Sequence, residues 1–201
     1  VQIQEPNICK EEEAYLKATV QVSYDQMEQA RTRLLELLHH VEHRLAYKKR
    51  TEIVVEVVAQ LEEEGKFPQA DYAFDNGVLT LELTRLIESK GKHWVSELES
   101  SRHILWEDQW QRIDEVATRL RKMHPESFRK VAVRCRNGEQ KEYWTFSKSG
   151  RLKRYGRKRS AIVHEQADLT GKTRFFVTDA LHRESGRIIA TWSFRWAVEV
   201  F

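Results

Sequence analysis

Apolar positions along this chain follow two rhythms. Up to about His124 most recur at three- and four-residue steps; from Phe128 to Val177 most alternate with polar ones. The first rhythm predicts amphipathic helices and the second half-buried strands. A strong helix is expected from about Tyr24 to Tyr47, with Leu34, Leu35, Leu38, Val41 and Leu45 along one side. A second is expected from about Thr51 to Glu64, capped by Thr51 and stopped by Gly65. Arg102 to His124 reads as another, its apolar side formed by Trp106, Trp110, Ile113, Val116, Ala117 and Leu120, with Pro125 ending it. The last runs from Ser185 to Phe201, where Ile188, Ile189, Trp192 and Trp196 keep helical spacing. Upstream of all these, Val1 to Pro6 reads as an edge strand and Cys9 to Lys17 as a solvated face.

Between the helices lies an α/β unit. Pro68 breaks the second helix, Ala70 to Phe74 reads as a short buried strand, and Asp75-Asn76-Gly77 turns the chain. A helix with Leu79, Leu83, Leu86 and Ile87 follows, Gly91 closes it, and Trp94 to Leu98 forms the next strand. Open α/β sheets place their chemistry at the carboxyl ends of strands, which is where Asp75 falls. Asp71, at the start of the same strand, is its rival, and Asp75 could also be an ordinary turn residue. In the β-rich part, Asn137-Gly138 between V-A-V-R-C-R and E-Y-W-T-F-S marks a hairpin.

With 201 residues, 40% hydrophobic and 32% charged, the chain is long enough for one good-sized core and is globular in balance. Only Cys9 and Cys135 are present, which argues against a disulfide scaffold or a thiolate zinc site. His39 and His43 sit one helical turn apart, but without a third ligand they read as polar-face residues. No apolar run reaches the length of a membrane span. A start without Met and an end inside a helix suggest a fragment of a longer, soluble intracellular protein.

The net charge of +3 conceals an uneven distribution. Between Arg129 and Ser160 there are twelve Arg or Lys against two Glu. The densest run holds Arg151, Lys153, Arg154, Arg157, Lys158 and Arg159, interleaved with Tyr155 on a predicted hairpin, a pattern suited to phosphate-backbone contact. Gly150 and Gly156 lack the spacing and the following Lys-Ser/Thr of a phosphate-binding loop, which excludes an ATPase of that kind.

At the end of the chain, Trp192, Arg195 and Glu199 share one helical face. By spacing alone Arg195 and Glu199 form an ordinary ion pair. The words around them, however, resemble the Y-R-E signature of DDE transposases from bacterial insertion sequences, with R-F-F-V-T-D-A-L-H-R-E-S-G-R-I-I-A-T-W as the lead-in. Trp192 stands where that family usually has Tyr, and the chain stops at Phe201, before the position of the lysine expected further along the same helix. F-D-N-G-V with G-K-H-W at Gly91 to Trp94 matches the family's second aspartate.

The resemblance implies a ribonuclease-H-like α/β core, incomplete at its N-terminus, with an inserted basic antiparallel β segment. Residues 1–127 would form the helices and the first part of the core, 128–172 the insertion, and 173–201 the return to the core. It implies Asp75 and Glu199 as catalytic acids holding Mg²⁺ or Mn²⁺, with the first aspartate upstream of Val1 and this fragment inactive alone. Duplex DNA, as transposon ends and target, would be the partner, contacted by Arg195, Trp192 and the basic run. The family also implies a bacterial cytoplasmic location at the nucleoid, and it admits a homodimer for the full-length protein. Two other readings stand beside it: a non-catalytic nucleic-acid-binding module, and a structural protein whose tryptophan-rich helix packs on a partner.

Overall fold

The computed structural model describes residues 10–15, 24–45, 48–134 and 138–194. The expected edge strand at Val1 to Pro6 therefore lies outside the described residues. The chain forms two compact units, Val1–Lys49 and Arg50–Phe201, and the expected boundaries at residues 127 and 172 both fall inside the second. The first unit holds α1 (residues 10–15) and α2 (Tyr24–Leu45), with an ion pair of 3.1 Å between Arg33 and Glu11. The leucine stripe of α2 is not a buried seam, since Leu35 and Leu38 are exposed.

In the second unit, α3 (Arg50–Glu64) has Thr51 inside its first turn rather than as its cap. Gly65 adopts φ +62°, a backbone state that ends a helix cheaply only for glycine. Then come β1 (Tyr72–Phe74), a 3-10 turn over Asn76–Val78, α4 (Leu81–Ser89) capped by the Thr80 hydroxyl, and β2 (Trp94–Glu97). β1 and β2 pair in parallel, so the expected α/β unit is present with its crossover helix.

Residues 102–112 depart from expectation. They form β3 (His103–Trp106) and β4 (Gln109–Arg112), an antiparallel hairpin, and α5 begins only at Ile113 and runs to Met123. Glu107 and Asp108 both take positive φ, 49° and 61°, the two-residue turn whose twist suits a hairpin. Trp106 and Trp110 stand four apart because of this turn, and that spacing imitates one helical step.

The remaining strands are β5 (Arg129–Arg134), β6 (Gln140–Leu152), β7 (Gly156–His164) and β8 (Arg174–Thr178), followed by α6 (Ser185–Ser193). They join β1 and β2 in one mixed sheet of eight strands, ordered β1-β2-β8-β7-β6-β3-β4, with β5 also paired to β6. The basic run is thus the end of one long strand, a tight turn and the start of another.

Strand alternation sorts the core onto two faces. Phe74, Trp94, Ile162, Phe175 and Val177 point to the face packed with α3, α4 and α5. Val95, Ala161, Val163 and Phe176 point to the other, where Ile188, Ile189 and Trp192 of α6 cover them. Gly186 brings α6 close to β5, and a Cβ there would lie 2.8 Å from Val131 Cγ1. Among the described residues, no helix is long and apolar enough to cross a membrane.

Candidate functional site

Asp75 follows the last residue of β1 in extended conformation, φ −84° and ψ 175°. Its Oδ1 accepts the Gly77 N–H at 2.9 Å, so the turn-residue role is realised and also fixes how the carboxylate is rotated. The Ser96 hydroxyl donates to the Asp75 carbonyl at 3.3 Å, tying the strand end to β2. Asp71 sits at the opposite end of β1, where it pairs with Arg183. Of these two aspartates, Asp75 is the one at the carboxyl end of the strand.

A group that sequence reading missed stands beside it. Phe74 pairs with Ser96, so Asp75 and Glu97 are neighbours on adjacent parallel strands. Both Glu97 oxygens accept from the Arg174 guanidinium, at 3.2 Å each. The guanidinium carbon of Arg174 lies 4.1 Å from the centre of the Trp192 ring and 5.5 Å from that of Phe176. Glu97, Arg174 and Trp192 come from distant parts of the sequence, so no local signal could have joined them. Trp192 itself is 3% exposed and packs on Phe176 with centroids 5.1 Å apart. Its ring is a core element here, not a surface for DNA. Arg195 and Glu199 lie outside the described residues.

The basic hairpin divides into two kinds of residue. Arg151, Lys153, Arg154 and Arg157 are exposed, and among the described residues none of them ion-pairs with an acid. Lys158 instead points into the core-facing side, its Nζ 3.0 Å from Glu88 Oε1 and over the Trp94 ring. Arg159 donates to the Leu181 carbonyl and to Ser147 Oγ, both at 3.0 Å. These two hold the fold together rather than offering charge to a ligand. Arg151 and Arg157 stand directly opposite each other across the ladder. Like charges so placed repel, and an anion lying across both would relieve that repulsion.

The turn of this hairpin is anchored. Tyr155 is buried, and its hydroxyl donates to the Leu79 carbonyl at 3.1 Å, just past the Asp75 turn. Burial holds its phenol above the ordinary range, so it remains a donor. The basic turn and the acid turn are therefore joined through one hydrogen bond. Elsewhere, His164 is buried against Phe128, and desolvation, with the Arg121 charge second, pushes its pKa down.

The donors at Asp75 and Glu97 are carboxylate oxygens, hard ligands that suit Mg²⁺ or Mn²⁺ better than zinc. Among the described residues no three His, Cys, Asp or Glu converge to hold an ion. No protein-family model matches the chain, and no curated protein matches it.

Proposed function

We propose that this chain is part of a DDE-type DNA transposase, which cuts phosphodiester bonds at transposon ends and joins them to a target. The observation that supports this reading best is Asp75 at the carboxyl end of a parallel strand, with a basic hairpin tied to the turn that follows it. In that reading the sheet with its helices is a ribonuclease-H-like core, and the antiparallel strands from β3 to β8 lie between its second acid and its last helix.

Asp75 and Glu199 would hold Mg²⁺ or Mn²⁺, which would supply Lewis-acid stabilisation of the charge that develops in an in-line phosphodiester displacement. The Gly77 N–H orients the Asp75 carboxylate. Arg174 takes up the neighbouring charge of Glu97 and stacks on Trp192, fixing the helix that precedes Arg195 and Glu199 in sequence. Arg151, Lys153, Arg154 and Arg157 supply the charge that holds the DNA backbone. Arg195 would add a phosphate contact near the metals. Duplex DNA is the partner in this reading, a homodimer is open to the full-length protein, and the location is the bacterial cytoplasm at the nucleoid.

The test is Mg²⁺-dependent nicking of a transposon end by the full-length enzyme. Asp75→Asn and Glu199→Gln should each abolish cleavage while leaving DNA binding intact. Cleavage by Asp75→Asn at the wild-type rate would refute the assignment. The second reading, a non-catalytic nucleic-acid-binding module, draws on the capping bond of Asp75 to Gly77: there the acid is structural and the hairpin alone carries function.

A further inference from the structure

Among the described residues, α6 covers its sheet face over β5, β2 and β8 and does not extend across β3 and β4. Toward the far edge, β4, β3, β6 and β7 lie side by side, and their ladders build one cross-strand row. Trp110 pairs with Leu105, and Arg151 pairs with Arg157. The pairing of Ile104 with Leu152 sets β3 against β6 so that Leu105 stands beside Arg151. The row therefore reads Trp110, Leu105, Arg151, Arg157 on one face. Trp110 is 46% exposed, and both arginines are exposed.

Trp106 shows what a core tryptophan does on this hairpin. It faces the other side, edge-on to Phe146, with the Lys148 ammonium 4.3 Å from its ring centre. Among the described residues no aromatic ring or cation packs on Trp110, which presents a large ring on an edge strand, at the opposite end of the row from the two arginines. An exposed ring in one row with two exposed arginines offers base stacking and phosphate contact together.

We propose that this row is a single-strand platform: an unpaired base stacks on Trp110 while neighbouring phosphates lie on Arg151 and Arg157. The inference rests on the DNA reading above and adds to it a recognition element for unpaired nucleotides. Strands stand about 4.8 Å apart, so three spacings give about 14 Å between Trp110 and Arg157. At about 3.4 Å per stacked nucleotide that is room for about four. A paired base hides both faces in the duplex stack, so only an unpaired one can use the ring. An apolar protein partner would have to desolvate two guanidinium groups that have no acid among the described residues.

Binding is measured by fluorescence anisotropy with the 201-residue chain, using a labelled oligonucleotide as a single strand and as a duplex at one salt concentration. Trp110→Ala should weaken single-strand binding about five-fold or more, the lower bound for one lost base stack. Trp110→Phe should recover most of it, and duplex binding should not change in either variant. Replacing thymine with iodouracil and irradiating the wild-type complex should cross-link the base to Trp110, a readout independent of any substitution. Equal single-strand affinity in Trp110→Ala and wild type, or cross-links confined to other residues, would overturn the platform while duplex binding kept the DNA reading alive. Absence of binding to either form would overturn both.

Discussion

Glutamine at Arg151, Lys153, Arg154 and Arg157 together removes the four exposed charges of the hairpin and leaves Lys158 and Arg159 in place. Each phosphate neutralised on a duplex contributes about −0.9 to the slope of log affinity against log salt. Four contacts give about −3.6. Between 50 and 200 mM salt, about 0.6 of a log unit, those contacts account for about a 150-fold loss of affinity. The quadruple variant should lose that dependence, keeping only the slope from contacts elsewhere. Its stability should stay within about 0.5 kcal/mol of wild type, because these side chains are solvated and one repulsive cross-strand pair is relieved. Lys158→Met should do the opposite. It leaves Glu88 with the Trp94 indole N–H as its donor, costs about 1 kcal/mol on unfolding, and leaves the slope alone. The assay is anisotropy titration at four salt concentrations, with urea unfolding of the same samples. A quadruple variant with the wild-type slope would refute the division of the hairpin into ligand-facing and structural charges.

Other substitutions probe other parts of the account. Asp75→Asn keeps an oxygen that accepts the Gly77 N–H, so chemical denaturation should shift by less than about 0.5 kcal/mol, whereas Asp75→Ala should cost about 1 kcal/mol. Tyr155→Phe loses the bond to the Leu79 carbonyl and should cost about 1 kcal/mol in a urea melt. His164 has a folded pKa below its ordinary value, so the unfolded chain takes up its proton first as pH falls. Its contribution to stability is full above about pH 6.5 and is lost as pH falls from there through the folded pKa. The stability of His164→Leu, measured by urea unfolding from pH 7.5 to 5, should therefore fall less steeply than wild type by up to about 1.4 kcal/mol per pH unit. Parallel profiles would show that His164 does not carry a buried neutral ring.

The parts of this fold that were legible in sequence are those with local causes. Asn137-Gly138 between alternating strands gave the β5–β6 hairpin, and Pro68, Asp75-Asn76-Gly77 and Gly91 punctuated the β1-α4-β2 unit correctly. Where two local signals compete, as at Trp106-Glu-Asp-Gln-Trp110, period alone favoured a helix. The structure instead uses Glu107 and Asp108 as a turn because the hairpin pairs β3 with β6. Non-local features were out of reach. Nothing near Glu97 announces Arg174, and nothing in the basic run marks Lys158 and Arg159 as inward-facing, since that depends on partners in α4, β6 and the loop after β8. The burial of Trp192 has the same origin: its partner Phe176 lies on the strand before the helix, across a turn the spacing does not reveal.

The most direct test of the central claim is the separation between the carboxylates of Asp75 and Glu199 in crystals grown with Mn²⁺, with the ion placed by its anomalous signal. A transposase centre requires the two carboxylates about 5–8 Å apart, with manganese density between them. Carboxylates on different faces, about 15 Å or more apart, with no manganese at Asp75, would contradict it and leave the non-catalytic nucleic-acid-binding module as the function.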